Sequence, residues 1–126
     1  MAHSFQAFPI LILYLLLAFS NTGGTLIPAF AQASGQWCVP RPSATEAQLL
    51  DSIQFVCGEK GLPGCSLIQA GGSCFYPNTT INHASVVMNL WYQLEGRQTV
   101  SCWFKNSALI TITDPSYGNC QFVFGQ

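Results

Sequence analysis

The chain has 126 residues, and its four basic and five acidic side chains give a formal net charge of −1 at pH 7. Nucleic acids and anionic membranes bind basic surfaces, so this charge balance argues against both as partners. The length suits one domain behind a short leader, and we expect that domain to be monomeric.

The N-terminal segment predicts a signal peptide over residues 1–31. Residues 9–19 (PILILYLLLAF) are almost entirely apolar, and this run suits a leader better than a membrane span, which needs about 20 residues. Small residues at alternate positions favour cleavage after Ala31 or Ala33. An uncleaved anchor helix is the alternative. Six residues follow Cys120, too few for a lipid-anchor signal, so we expect a secreted, extracellular protein without a membrane anchor.

Six cysteines follow the predicted leader: Cys38, Cys57, Cys65, Cys74, Cys102 and Cys120. An even number in a short secreted chain indicates a disulfide framework, although spacing alone leaves the pairing open. Zinc sites need paired Cys or His spacings that are missing here, so we expect neither a metal nor another cofactor. His83 has no evident acid to orient it, and carboxylates are few, so we do not expect an enzyme.

The first predicted helix begins at a capping box, Ser43 to Glu46, in which the hydroxyl and the glutamate satisfy free N–H groups. Apolar residues then recur at helical spacing at Leu49, Leu50, Ile53, Val56 and Cys57. A second helix starts at Thr80 or Asn82 and ends at Gly96. Its apolar face is predicted to be Ala84, Val87, Met88, Trp91 and Leu94, and its more polar side Ser85, Asn89, Tyr92 and Gln93.

Three later segments are prone to form strands, residues 99–104, 108–113 and 120–124, whereas residues 33–42 read as extended and turn-prone. The predicted fold class is α+β: a small disulfide-rich domain with two helices, a small antiparallel sheet and long coil segments.

Aromatic side chains are frequent behind the leader, and several lie beside amides and carboxylates. Flat rings can stack on the apolar C–H faces of sugars while amides and carboxylates bond the hydroxyls. The alternative is that the rings form the core, and we favour that alternative for Phe55, Phe75, Trp91 and Phe122. The predicted binding platform comprises the rings of Tyr92, Trp103 and Tyr117, with Asn89, Gln93 and Asp114 along its edge.

Asn78-Thr79-Thr80 is an N-x-S/T sequon. A secretory route and a loop position favour glycosylation of Asn78.

Several motifs together resemble one family. They are WCV at 37–39, QAGGSCFYPN at 69–78, HAS at 83–85, WYQ at 91–93 and TDPSYGNC at 113–120. They resemble the plant X8 domain, also called carbohydrate-binding module family 43, and place that domain at residues 36–124.

The resemblance implies a fold of two helices beside a small antiparallel sheet. It also implies non-catalytic binding of β-1,3-glucan of the callose type, in the cell wall apoplast. The disulfide pattern carried over from the family is Cys38–Cys102, Cys57–Cys65 and Cys74–Cys120.

This chain departs from the family pattern in three places. Trp103 stands where the family usually has an acidic residue, and a glycine common just after Phe104 is replaced in the run Lys105-Asn106-Ser107. Leu90 and Trp91 are more apolar than the residues usual in the second helix. These departures bear on ligand preference. A secreted interaction or signalling protein without glucan affinity is therefore the alternative function.

Overall fold

The computed structural model describes residues 35–125, so the predicted leader and its cleavage sites lie outside the described residues. Within this range, the secondary structure is strand β1 (Trp37–Pro40), helix α1 (Glu46–Ile53), helix α2 (Thr80–Leu94) and strand β2 (Ala108–Thr111). A π-helical segment (Gln54–Glu59) continues α1, and 3₁₀ helices cover Pro63–Ile68 and Thr99–Cys102. The α+β class is confirmed.

The antiparallel sheet pairs β1 with β2, with Trp37 opposite Thr111 and Pro40 opposite Ala108. The strand predicted over 108–113 is confirmed in its first four residues, and the extended segment near Trp37 supplies its partner. The strands predicted over 99–104 and 120–124 are wrong. Residues 99–102 form a 3₁₀ helix, and residues 121–125 are irregular. On the outer edge of β1 the Cys38 N–H is bonded by the Asn89 side chain at 3.2 Å and not by a third strand.

Helix α1 begins two residues later than predicted. Thr45 is its N-cap: the hydroxyl accepts from the Gln48 N–H at 3.2 Å, and the Gln48 side chain accepts from the Thr45 N–H at 2.9 Å. The capping box is therefore Thr45–Gln48, not Ser43–Glu46. The Glu46 carboxylate, freed from capping, accepts a hydrogen bond of 2.6 Å from the Thr80 hydroxyl.

Helices α1 and α2 run in the same direction. The Glu46–Thr80 bond joins their first residues, and beyond the far end of α1 the Phe55 ring meets the Trp91 ring edge-on, with centroids 5.1 Å apart. Helix α2 is the central element of the described domain. Four consecutive residues, Val86 to Asn89, are buried, so other segments cover the middle of α2 on all sides.

The core consists of three small clusters, each containing disulfide sulfur. Cys38–Cys102 lies with Leu49, Met88 and Tyr92; Cys74–Cys120 with Trp37, Val86 and Phe122; and Cys57–Cys65 beside Val56 and Val87. All three expected pairings are confirmed, and none of the six cysteines is free. A domain this small buries a modest share of its surface, so these covalent links carry much of its stability.

Candidate functional site

Three of the six residues predicted to bind ligand are inaccessible to solvent. Asn89, Tyr92 and Gln93 each have 0% of their surface exposed. The prediction that they form part of an exposed platform is therefore wrong. Asn89 lies about one turn before the adjacent pair Tyr92 and Gln93, on the side of α2 that faces β1 and the C-terminal residues 123–125.

Asn89 joins the two ends of the described domain. Its Oδ1 accepts from the Cys38 N–H at 3.2 Å and from Gln93 Nε2 at 3.0 Å, while its Nδ2 donates to the Val123 carbonyl at 2.8 Å. Backbone groups removed from water need partners, and those of residues 121–125 lack a strand to bond. The Asn89 side chain supplies hydrogen-bond partners that a neighbouring strand would otherwise provide.

Gln93 and Tyr92 extend this network. Gln93 Nε2 donates to the Gln36 carbonyl at 2.8 Å, and Gln93 Oε1 accepts from the Gly125 N–H at 2.9 Å and the Arg97 guanidinium at 3.2 Å. The Tyr92 hydroxyl donates to Gln36 Oε1 at 3.2 Å. Burial raises the pKa of Tyr92, and the positive charge of Arg97 partly opposes that rise. These polar groups stabilise the scaffold.

Tyr117 lies beside the segment 74–78, which we call the Tyr76 loop. The Tyr117 hydroxyl lies 2.7 Å from the Tyr76 carbonyl and 3.0 Å from Asn82 Oδ1, and these two acceptors share its single proton. The carboxylate of Asp114 accepts from the Ser116 N–H at 2.9 Å and so shapes the turn before Tyr117. Tyr117 therefore belongs to a surface at the first turn of α2, and Asp114 lies in the turn that precedes Tyr117.

The Tyr76 loop is bonded to that same turn at several points. Asn82 Nδ2 donates to the carbonyls of Cys74 (3.0 Å) and Pro77 (3.2 Å), and a ring nitrogen of His83 bonds the Phe75 carbonyl at 2.8 Å. His83 is thus committed to the backbone. The Tyr76 side chain, 75% exposed, is presented by a loop whose main chain is fixed.

A groove of about 480 Å³ lies at the other end of α2, between the end of α1, its π-helical continuation and residues 100–105. This volume is in the range of sites that hold small ligands. Its apolar lining is Phe55, Trp91, Val100, Trp103 and Phe104, and its polar lining is Gln48, Asp51, Ser52, Gln54, Glu59, Ser101 and Lys105.

The aromatic floor of the groove is a packed set of rings. Phe55 meets both Trp91 and Phe104 edge-on, with centroids 5.1 and 6.4 Å apart. The Lys60 ammonium lies 5.5 Å from the Phe55 centroid and 5.6 Å from the Trp91 centroid. Edge-to-face pairs and cation–π contacts hold such rings in place. Trp103, 57% exposed, adds a solvent-accessible ring beside them.

A left-handed turn sets the orientation of Trp103. Phe104, Lys105 and Asn106 have φ angles of 46°, 53° and 64°, and the turn is closed by the Ser107 N–H, which bonds the carbonyls of Trp103 and Phe104. The Ser107 hydroxyl also donates to the Phe104 carbonyl at 2.6 Å. Trp103 is exposed while Phe104 packs inward. Non-glycine side chains are strained at such φ values, and Lys105 is the middle one of three consecutive residues held there.

The structure does not bring Trp103 and Tyr117 together. Tyr117 bonds to Asn82 in the first turn of α2, whereas Trp103 lines the groove with Trp91 near its end. Nine residues of helix separate these two anchor points, which is about 13 Å along the axis. Of the predicted platform, only Trp103 lies in the groove.

Phe55 and Trp91 were expected to lie in the core, and Gln48, Gln54 and Glu59 were not among the predicted site residues. A signal was present: Phe55 and Glu59 are four residues apart and lie on one helical face. Recognising it required knowing that residues 100–105 pack beside that face.

Comparison with known proteins supports the resemblance carried by the motifs. The X8 domain model matches residues 36–109. The chain is 48% identical over 92 residues to the major pollen allergen Ole e 10 of Olea europaea, covering 73% of this chain and 74% of the allergen. The chain belongs to the X8 domain family.

Two longer relatives carry a similar segment. The chain is 48% identical to a glucan endo-1,3-beta-D-glucosidase of Olea europaea over 94 residues and 43% identical to a glucan endo-1,3-beta-glucosidase of Triticum aestivum over 89. These alignments cover 75% and 71% of this chain but 20% and 19% of the relatives. The chain thus spans about a fifth of their length.

No helix between residues 35 and 125 is long and apolar enough to cross a membrane. The same residues contain no cluster of three His, Cys, Asp or Glu side chains arranged to hold a metal ion.

Proposed function

We propose that the protein is a non-catalytic carbohydrate-binding module that holds β-1,3-glucan of the callose type in the groove. The observation that carries this proposal is the exposed Trp103 ring beside the half-buried rings of Phe55 and Trp91. Amides and carboxylates line the same groove. Such a combination of flat apolar surface and hydroxyl-bonding groups matches a sugar.

The chemistry of a glucan fits each part of this groove. The C–H faces of glucose rings are apolar and stack on indole, which removes apolar surface from water. Gln48 and Gln54 can donate to and accept from hydroxyls, while Asp51 accepts. A glucan is uncharged, and the net charge of −1 provides no attraction for a polyanion. Trp103 is the residue we expect to contribute most to affinity.

The relatives support the choice of glucan. The names of the two longer relatives describe enzymes of 1,3-β-glucan. The segment they share with this chain accounts for about a fifth of their length. A shared segment that binds the enzyme's polymer is consistent with both observations.

An extracellular location is part of the proposal. Disulfides persist in oxidising compartments and are rare in the cytosol, and all six cysteines here are paired. We propose secretion to the cell wall apoplast, directed by the leader predicted over residues 1–31.

The proposal is tested by binding of the secreted protein to insoluble β-1,3-glucan and to laminarin, with cellulose as the control polymer. Trp103→Ala should weaken laminarin binding about fivefold or more, the effect of losing a contact of about 1 kcal/mol. Tyr76→Ala is the matched control, because it removes another exposed ring outside the groove. Tyr117→Ala, read in the same assay, tests whether the Tyr117 ring contacts ligand. No reducing ends should be released.

Normal glucan binding by a folded Trp103→Ala variant would exclude the groove as the site. Wild-type protein that binds no β-1,3-glucan would instead favour the alternative, a secreted interaction or signalling protein on the same scaffold.

A further inference from the structure

The sequon Asn78-Thr79-Thr80 lies in the Tyr76 loop and the start of α2. Asn78 is exposed, and the groove lies at the opposite end of α2. The three disulfides independently indicate an oxidising compartment such as the lumen of the endoplasmic reticulum. N-linked oligosaccharides are attached in that same compartment, to asparagines in such sequons.

An exposed aromatic ring precedes the sequon asparagine by two residues. Tyr76 is 75% exposed, and the Phe75 ring meets it edge-on with centroids 4.9 Å apart. The hydroxyl of Tyr117 bonds the Tyr76 carbonyl, and Asn82 bonds the Pro77 carbonyl. The ring is therefore displayed on a fixed main chain, and two residues span at most about 7 Å. A sugar attached at Asn78 begins within reach of it.

We propose that Asn78 is N-glycosylated and that its first N-acetylglucosamine packs on the Tyr76 ring. The co-reactant is a lipid pyrophosphate-linked oligosaccharide. Asn78 Nδ2 forms a bond to C1 of the reducing-end N-acetylglucosamine, and the C1–oxygen bond to pyrophosphate breaks. Its electron pair leaves with the lipid pyrophosphate, and one amide proton passes to a base of the transferase.

The packing follows from the chemistry of both partners. The pyranose of N-acetylglucosamine presents an apolar C–H face, and stacking on Tyr76 covers a ring that otherwise faces water. The glycan is anchored near the first turn of α2, about 13 Å along the helix axis from the groove. Its attachment point therefore lies outside the groove. The inference stands whether or not the groove binds glucan.

The first test is the intact mass of the full chain expressed in cultured plant cells. Wild-type protein should carry an oligosaccharide mass that peptide N-glycosidase A removes, leaving Asp at position 78 in the peptide map. Asn78→Gln should lack that mass, whereas Thr80→Ser should retain it. A wild-type chain without a glycan at Asn78, whether secreted or retained, would overturn the proposal.

The second test isolates the contact with Tyr76. Cells treated with a mannosidase inhibitor make glycans that endoglycosidase H trims to one N-acetylglucosamine. The trimmed protein should melt about 4–8 °C above the fully deglycosylated protein, as expected for one aromatic contact in a small domain. This difference should vanish in Tyr76→Ala and persist in Tyr76→Phe. An equal difference in wild type and Tyr76→Ala would overturn the packing.

Discussion

The side-chain amides of Asn89 and Gln93 hydrogen bond to each other at 3.0 Å, and together they bond main-chain groups of Gln36, Cys38, Val123 and Gly125. Both side chains are fully buried. A buried network with every group satisfied strengthens its individual bonds, whereas one missing member leaves the others without partners. This pair therefore supplies main-chain groups at both ends of the domain with the hydrogen bonds that a third strand would otherwise make.

Asn89→Ala should destabilise the domain by about 2–3 kcal/mol, because the Cys38 N–H and the Val123 carbonyl lose their partner. Urea unfolding at pH 7 measures the change. Gln69→Ala, at an exposed position, is the control and should shift the free energy of unfolding by less than about 0.5 kcal/mol. Equal stability of the two variants would contradict the role given to Asn89.

Tyr92 should make the domain less stable at alkaline pH. Burial raises its pKa in the folded state, so the native protein keeps a proton that the unfolded chain loses near pH 10. The stabilisation is complete below that pH and is lost as pH rises through the raised folded pKa. Tyr92→Phe should show a smaller fall in urea midpoint between pH 9 and pH 11. Parallel curves for the variant and the wild type would refute this.

Much of the fold could be predicted from the sequence, and the failures have identifiable causes. Helix α2 was predictable because its apolar residues follow a helical period. The strand expected at residues 99–104 was not formed, since Thr99 and Val100 favour strands only where a partner edge exists. The pairing of the cysteines came from the family resemblance, as spacing alone leaves it open.

The candidate site was harder to predict. Asn89, Tyr92 and Gln93 read as a polar, solvent-facing side of α2, yet they bond main-chain groups of distant segments. Polar side chains on a helix look the same in sequence whether water or a distant main chain supplies their hydrogen-bond partners. The groove depends on residues 100–105 packing against the end of α1, a long-range contact that no local pattern encodes.

Lys105→Gly should stabilise the protein by about 1 kcal/mol, because Lys105 has a φ of 53°, where glycine lacks the steric penalty of a side chain. Lys105→Ala is the matched control, since it removes the same charge but retains the strain. Urea unfolding of the two variants separates the backbone effect from the loss of the ammonium. If the Gly and Ala variants are equally stable, the left-handed turn is not strained.

The Cys38–Cys102 bridge should contribute more stability than Cys57–Cys65. The paired residues are 64 apart in the first bridge and 8 apart in the second. Restricting the longer loop removes more unfolded-state entropy, by about 2 kcal/mol. The double variants Cys38→Ala/Cys102→Ala and Cys57→Ala/Cys65→Ala avoid free thiols, and thermal melting compares them. A lower melting temperature for the second variant would reverse the order.

Since Asn89 and Gln93 hold Gln36 and Val123 against the same helix face, the first and last segments of the domain are neighbours in space. Domains with adjacent ends accept circular permutation. A short linker from Gly125 to Gly35 would close the ring, and a break at the exposed turn of Gly71 would fall between Cys65 and Cys74 without cutting a bridge. We therefore expect the elements to pack around α2 in the same way when the chain begins and ends at a different point.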